Sequence, residues 1–151
     1  VVVGPDSKNY TATMRRLADR CEVADRVVFT GLLRGADRVS ALVDADLFAL
    51  PSDHENFGIA VAEAMAAGVP VVISDQVGIG ADVIAAEAGS VVPCNPVRIA
   101  AELTRWLDDP TMRHEAGQRG RQYAFARYDW SHIGHRWADR YQELLGRAVR
   151  A

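Results

Sequence analysis

Residues 50–75, LPSDHENFGIAVAEAMAAGVPVVISD, carry the reading that decides the fold. An apolar strand over 46–50 stops at Pro51-Ser52. The polar loop Asp53-His54-Glu55-Asn56 follows. Small apolar residues over 58–67 then predict a helix, ended by Gly68. A second apolar strand is expected over 69–74. A strand, a short helix and another strand in that order describe a parallel crossover.

Working outward, the same alternation continues on both sides. Val1-Val2-Val3 before Gly4-Pro5 reads as the end of a buried strand and a turn. Tyr10, Met14, Leu17 and Cys21 recur at helical spacing over 9–23. A β-rich run over 26–30 is closed by Gly31, and a short helix is expected over 36–44. After residue 75 come a short helix over 80–87 and a strand over 90–92. From Asn95 the strands stop. Pro96 and Pro110 suit the first positions of helices to about 108 and 128. Asp129 is expected to cap a last helix over 130–147. The predicted fold class is α/β, a Rossmann-like parallel sheet with flanking helices and a helical C-terminal arm over 129–151.

The 151 residues fit one domain. Hydrophobic residues make up 49% and charged residues 25%, which excludes a disordered tail or a fibre. The longest nearly apolar run, 59–74, contains Glu63, Gly68 and Pro70 and does not read as a membrane span. The net charge of −3 argues against a nucleic-acid partner. That charge is uneven: residues 1–94 hold thirteen acids and seven bases, whereas 95–151 hold seven acids and ten bases. Lys8 is the one lysine, and it follows Asp6-Ser7 rather than a glycine-rich loop, which excludes a Walker-type nucleotide site. Cys21 and Cys94 are lone thiols without metal spacing, so a reducing compartment is expected. Beginning at Val1 rather than at a methionine, the chain reads as a piece of something longer that starts inside a strand.

Open parallel sheets bind ligands beyond the carboxyl ends of their strands. The best-marked end is Leu50-Pro51-Ser52. Beyond it, Asn56, Phe57, Gly58 and Ile59 would offer backbone N–H groups at a helix N-terminus, which attracts phosphate without a lysine. Gly58 would let the ligand approach the backbone closely. Glu55 and Glu63 are eight residues apart, about 12 Å along the axis if the stretch is helical. Carboxylates accept paired hydrogen bonds from vicinal diols, so the two acids suit the two sugars of a nucleotide sugar. Glu63 is the one charge between Glu55 and Asp75. An acid in such a run must be paired or face a cleft.

These residues carry a resemblance. The segment 51–75 is similar to the E-x7-E region of family-four retaining glycosyltransferases of the GT-B fold. VVVGPD, RVVFTGLL and VDADLFALPS resemble three further strands of that family's donor-binding domain, and GSVVPCNPVRIAAELTRWLDDPTMRHEAGQRGR resembles its C-terminal helices. The resemblance covers nearly the whole chain. It implies one half of a GT-B fold: residues 1–151 would be a nucleotide-sugar donor-binding domain, truncated at its N-terminus. It would come from a retaining, metal-independent enzyme that moves a hexose from a nucleotide-diphosphate sugar to an acceptor. By the same resemblance, Glu55 binds the transferred sugar and is the candidate catalytic residue. Asn56, Phe57, Gly58 and Ile59 surround that sugar and the diphosphate, Glu63 binds the ribose, and Thr30, Gly31 and Leu32 hold the base. No cofactor and no metal are implied.

The resemblance also implies an N-terminal acceptor domain that this chain lacks, together with an Arg and a Lys upstream of Val1, so the chain alone is expected to be inactive. The chain departs from the commoner pattern at 76–82, where a Gly-Gly turn precedes Glu. Asp82 stands in for that Glu, or the loop marks a variant subgroup. Two rival readings share the fold: a GT-B-type nucleotide-sugar epimerase fragment, and a non-catalytic nucleotide-binding or interaction domain. The expected location is cytoplasmic, peripheral to the inner face of the membrane.

Several other features read as ordinary structure. Gly78-Ile79-Gly80 opens like a dinucleotide fingerprint but lacks its third glycine, and its glycines are assigned to a turn. His132 and His135 read as a solvated helix face rather than a metal site. Arg113, Arg119, Arg121 and Arg127 likewise read as a solvated face, or as an attraction to an anionic membrane. Trp130, Ile133, Trp137, Tyr141, Leu144 and Leu145 form a helical apolar stripe. It is expected to be exposed in this chain and to support self-association.

Overall fold

The computed structural model describes residues 1–6 and 9–148, in which strands and helices alternate as far as residue 92 and three helices follow. Lys8, and the last three residues of the expected 129–151 arm, lie outside the described residues. The chain forms two units, Val1–Ala41 and Leu42–Ala151.

In the first unit, β1 (Val2–Val3) pairs in parallel with β2 (Phe29–Gly31). Between them run α1 (Tyr10–Arg20) and a 3-10 turn, Ala24–Arg26. That turn corrects the expected strand over 26–30. Pairing starts at Phe29, opposite Val2, and a register shift between Val2 and Val3 places Gly31 opposite Val3. An open apolar groove of about 510 Å³ lies among Val2, Val3, Tyr10, Met14, Leu17 and Phe29. The division between the units falls inside α2 (Gly35–Val43).

The second unit holds a three-stranded parallel sheet in the order β3 (Phe48–Leu50), β4 (Val71–Ser74), β5 (Gly89–Val92). All four residues of β4 are buried, as expected of a central parallel strand covered on both faces. Successive side chains on a strand point to opposite faces. Val71 and Ile73 join one core with α3 (Ile59–Ala67), α4 (Gly80–Ala85) and the C-terminal part of α6 (Pro110–Tyr128). Val72 joins a second core with Trp106 of α5 (Pro96–Asp108) and Ala116 of α6. Ser74, the buried polar residue of β4, donates through Oγ to the Ser52 carbonyl.

The prolines begin α5 and α6 as expected. Asn95 Oδ1 accepts from the N–H groups of Val97 (2.9 Å) and Arg98 (3.2 Å), and Asp109 Oδ1 accepts from Met112 N–H (2.8 Å). Asp129 Oδ1 accepts from Ser131 N–H (2.8 Å) at the start of α7 (Trp130–Ala148), the cap expected there. Helix α6 lies against the end of α3. A Cβ on Gly117 would stand 2.0 Å from the Gly68 carbonyl oxygen, so this approach requires glycine.

Candidate functional site

The carboxyl end of β3 leads into a loop stitched to the segment after β4. Glu55 N–H donates to the Gln76 carbonyl (3.1 Å), and Gly78 N–H donates to the Glu55 carbonyl (2.9 Å). Ile79 N–H then donates to the Phe57 carbonyl (2.9 Å). Glu55 and Val77 thereby form an isolated parallel bridge. The approach is tight: a Cβ on Gly78 would stand 2.1 Å from the Asn56 carbonyl oxygen. Gly78 thus serves a close backbone contact, whereas a Cβ on Gly80 would meet only the Val91 side chain, at 3.4 Å. Gly58 turns the chain with φ +94° and becomes the N-cap of α3. No side chain caps that helix, and no acid lies in its first turn. The positive end of the helix dipole is therefore left to whatever anion reaches Gly58 and Ile59.

Glu55 and Glu63 flank this turn. The helix begins only at Ile59, so Glu55 sits in the extended bridge and Glu63 in the helix. The helical spacing of the two acids read from the sequence does not apply, because Gly58 breaks the run. Both residues are half-buried. Glu55 Oε1 accepts from Phe57 N–H at 3.4 Å, so its carboxylate lies back over the turn. Asn56, Phe57 and Ile59 are exposed, and Gly58 is buried. Thus Glu55, Asn56, Phe57, Gly58 and Ile59 form the entrance to α3 in the second unit, and Glu63 lies just over one turn into that helix. Thr30, Gly31 and Leu32 belong to the first unit. There Thr30 Oγ1 donates to the Gly31 carbonyl (3.0 Å), Gly31 has φ +69°, and Leu32 is exposed.

Beside the turn lies a cluster that the sequence did not disclose. Asp82, in the first turn of α4, accepts from the Tyr123 hydroxyl at Oδ1 (2.6 Å) and from the Tyr128 hydroxyl at Oδ2 (2.5 Å). Arg127 Nε lies 3.3 Å from Oδ1. The Phe57 ring meets the Tyr128 ring edge-on, at 5.7 Å between centroids and 88° between planes. Burial alone would raise the Asp82 pKa. The two tyrosine hydrogen bonds and the Arg127 guanidinium outweigh it and hold the carboxyl below its usual range. Burial, then the Asp82 hydrogen bond, pushes the Tyr128 hydroxyl well above its usual value, and the Asp82 hydrogen bond leads the rise at Tyr123. These partners are 41 and 46 residues from Asp82. No local spacing marks them.

The arginines on α6 are mostly solvated, as expected, with Arg113 the largely covered one, and three of the four also have polar partners. Arg127 binds Asp82, and Arg113 donates through Nη1 to the Trp106 (2.9 Å) and Leu107 (2.6 Å) carbonyls. Arg119 donates to the Glu87 carbonyl at 3.1 Å. Three of the four arginines thus bind neighbouring segments, although Arg119 and Arg127 keep 40% and 53% of their side chains exposed. The stripe on α7 is exposed, Trp130 to 83%. His135 Nδ1 sits 2.7 Å from the Ser131 carbonyl oxygen, and His54 is exposed. The Cys94 thiol donates to Asp53 Oδ1 (3.3 Å), a bond that raises its pKa. No helix among the described residues is long and apolar enough to cross a membrane.

Comparison with known proteins places this entrance in context. Residues 1–123 match the profile of the family described as "Glycosyl transferases group 1". A GDP-mannose-dependent monoacylated alpha-(1-6)-phosphatidylinositol monomannoside mannosyltransferase of Corynebacterium glutamicum is 35% identical over 144 residues, covering 90% of this chain and 36% of the relative. A GDP-mannose:cellobiosyl-diphosphopolyprenol alpha-mannosyltransferase of Komagataeibacter xylinus is 30% identical, covering 99% of this chain and 38% of the relative. Among solved structures, sucrose-phosphate synthase of Thermosynechococcus elongatus superposes with a TM-score of 0.82 at 28% identity, covering 95% of this chain and 38% of that one. The chain therefore spans a little over a third of the length of these proteins.

Proposed function

The chain belongs to the group 1 glycosyltransferases, and on that premise we propose that it is the donor-binding half of a retaining, metal-independent hexosyltransferase. The acceptor domain would lie elsewhere in a longer protein, and this half alone would not turn over. That the chain spans only about a third of its relatives' length supports the division. The observation that carries the reading is the uncapped N-terminus of α3, opened by the left-handed Gly58, with Glu55 just before it and Glu63 in the second turn.

In this reading the diphosphate sits at Asn56–Ile59. As the sugar–phosphate bond breaks, negative charge grows on the departing nucleoside diphosphate. The amides and dipole of α3 already face that charge, so little reorganisation is needed at the moment of reaction. Glu55 orients the hydroxyls of the transferred sugar, and Glu63 anchors the ribose diol. The names of the two mannosyltransferase relatives support GDP-mannose as the donor. Their lipid-linked acceptors support work at the inner face of the membrane. Helix α7 is the arm, and its exposed stripe is the surface through which the isolated chain self-associates. A strictly monomeric sedimentation profile at high concentration would remove that last element.

The deciding experiment is a titration of the labelled chain with GDP-mannose, UDP-glucose and ADP-glucose, followed by amide NMR. Shifts at Asn56–Ile59, strongest with GDP-mannose and weakened in Glu63→Ala, are expected. Silence towards all three at millimolar concentration, also in a longer protein carrying the upstream basic residues, would leave a non-catalytic domain of this fold.

A further inference from the structure

Phe57 is held twice, and both holds trace to Asp82. At the backbone, the Phe57 carbonyl accepts from Ile79 N–H (2.9 Å), and the Ile79 carbonyl accepts from Asp82 N–H (2.9 Å). At the side chain, the Phe57 ring rests edge-on against Tyr128, whose hydroxyl is bound by Asp82 Oδ2 at 2.5 Å. The second carboxylate oxygen is taken by Tyr123 and Arg127. A carboxylate engaged at both oxygens by charge-assisted bonds has a fixed orientation, and so does the ring it anchors.

The consequence reaches the turn through the planarity of the peptide bond. In a trans peptide the C=O of one residue and the N–H of the next point in opposite directions. The Glu55 and Phe57 carbonyls both point at the 78–79 segment, where they accept from Gly78 and Ile79. The N–H groups of Asn56 and Gly58 must therefore both point away from it, to one side of the turn. Whatever fixes Phe57 fixes the aim of those donors.

We propose that Tyr128 and Asp82 are positioning residues, which aim the Asn56 and Gly58 amides at the donor diphosphate by clamping Phe57. The C-terminal end of α6 is thereby part of the donor site although it touches no ligand. The proposal rests on the reading of Asn56–Gly58 as the diphosphate turn.

The test uses the full chain and two readouts, GDP-mannose affinity and hydrogen exchange without ligand. Tyr128→Leu removes ring and hydroxyl. It is expected to weaken GDP-mannose binding by about tenfold, since small misplacements of binding groups have effects of that order. It should also speed exchange of the Gly78 and Ile79 amides while leaving Val72 and Ile73 in β4 protected. Tyr128→Phe keeps the ring against Phe57 but cuts its bond to Asp82, and is expected to lose affinity to a degree between wild type and Tyr128→Leu, whereas wild-type affinity in Tyr128→Phe would remove Asp82 from the clamp. Glu102→Gln, which loosens α5 at Ser90 and Arg105 far from the turn, serves as the control for general destabilisation and should leave affinity unchanged. Wild-type affinity in Tyr128→Leu, or an equal loss in Glu102→Gln, overturns the clamp and leaves the donor reading standing. A wild-type chain deaf to every nucleotide sugar overturns the donor reading instead. In that case unchanged Gly78 and Ile79 exchange in Tyr128→Leu overturns the clamp as well, and faster exchange supports its mechanical part.

Discussion

The two units are built from the same alternation of strand and helix, yet they reach different degrees of closure. In the second, Met65, Val71 and Ile73 are sealed from solvent, and both faces of β4 are covered by helices. In the first, Val2, Val3, Tyr10 and Leu17 are exposed, and Ala18 is the buried hydrophobic residue among those described. The difference shows that an apolar pattern specifies which face of an element is to be buried, while closure depends on how many layers arrive to cover it. It also explains where a precise site can be held. The turn before α3 is tied to the closed unit through three backbone hydrogen bonds and an aromatic contact, and a fixed turn is what an anion site needs.

The largest test of this contrast removes an apolar side chain from each unit. Met65→Ala, at a residue with no exposure, should cost about 2–5 kcal/mol, the usual range for a buried methionine or leucine. Leu17→Ala, 41% exposed, should cost about 1 kcal/mol or less, since most surface-exposed changes are small. Native-state hydrogen exchange of the β4 and α1 amides reads each loss in place. Equal losses would mean that the first unit is closed in solution and would dissolve the contrast.

Next in size is Asp82, a charge that the closed unit tolerates because it is fully engaged. Asp82→Asn should cost about 1.5–3 kcal/mol at neutral pH, the range for hydrogen bonds to a charged group. The pH dependence has a definite sign. The folded-state pKa of Asp82 lies below its unfolded value of 3.8. Its stabilisation is therefore present above that value and is lost as the pH falls through the folded pKa. The gap between wild type and variant should close on acidification below about pH 4. A gap unchanged in acid would show that the Asn variant loses packing and not charge.

What the sequence disclosed follows the range of the interactions involved. Gly58, Gly68, Pro96 and Pro110 act on their own backbone, and the helices they bound were legible within a residue. The strand over 26–30 was not, because β character there depends on a partner, and β1 offers only Val2 and Val3 for pairing. At the site, the turn 55–59 and the acids Glu55 and Glu63 were legible from one contiguous segment. The stitch to Gln76, Gly78 and Ile79 and the Asp82 cluster were not. Their members lie tens of residues apart, so no periodicity connects them. The Asp82 partner of Arg127 was hidden for the same reason: helical spacing shows which residues share a face but not what that face meets.

A smaller contrast uses one residue type in both units. Asn95 caps α5 with two backbone hydrogen bonds, at 2.9 and 3.2 Å. Asn95→Ala should cost about 1 kcal/mol, read from the unfolding midpoint, as loss of an N-cap usually does. Retained stability would mean that Pro96 alone fixes the start of α5.

Asn9 occupies the corresponding place before α1 and should matter least. Its side chain makes no cap bond, and its φ of 59° lies in the left-handed region, where an L side chain is strained. The first turn of α1 is instead satisfied from Asp6, whose Oδ1 accepts from Thr11 N–H at 3.1 Å. Glycine relieves the backbone strain but adds freedom to the unfolded chain, and the two effects oppose each other. Asn9→Gly should therefore change stability by no more than about 0.5 kcal/mol, whereas Asp6→Ala should approach the loss at Asn95, about 1 kcal/mol. Exchange of the α1 amides separates the two variants. A loss at Asn9 equal to that at Asn95 would mean that Asn9, not Asp6, closes the helix in solution, and that the open unit is capped in the same way as the closed one.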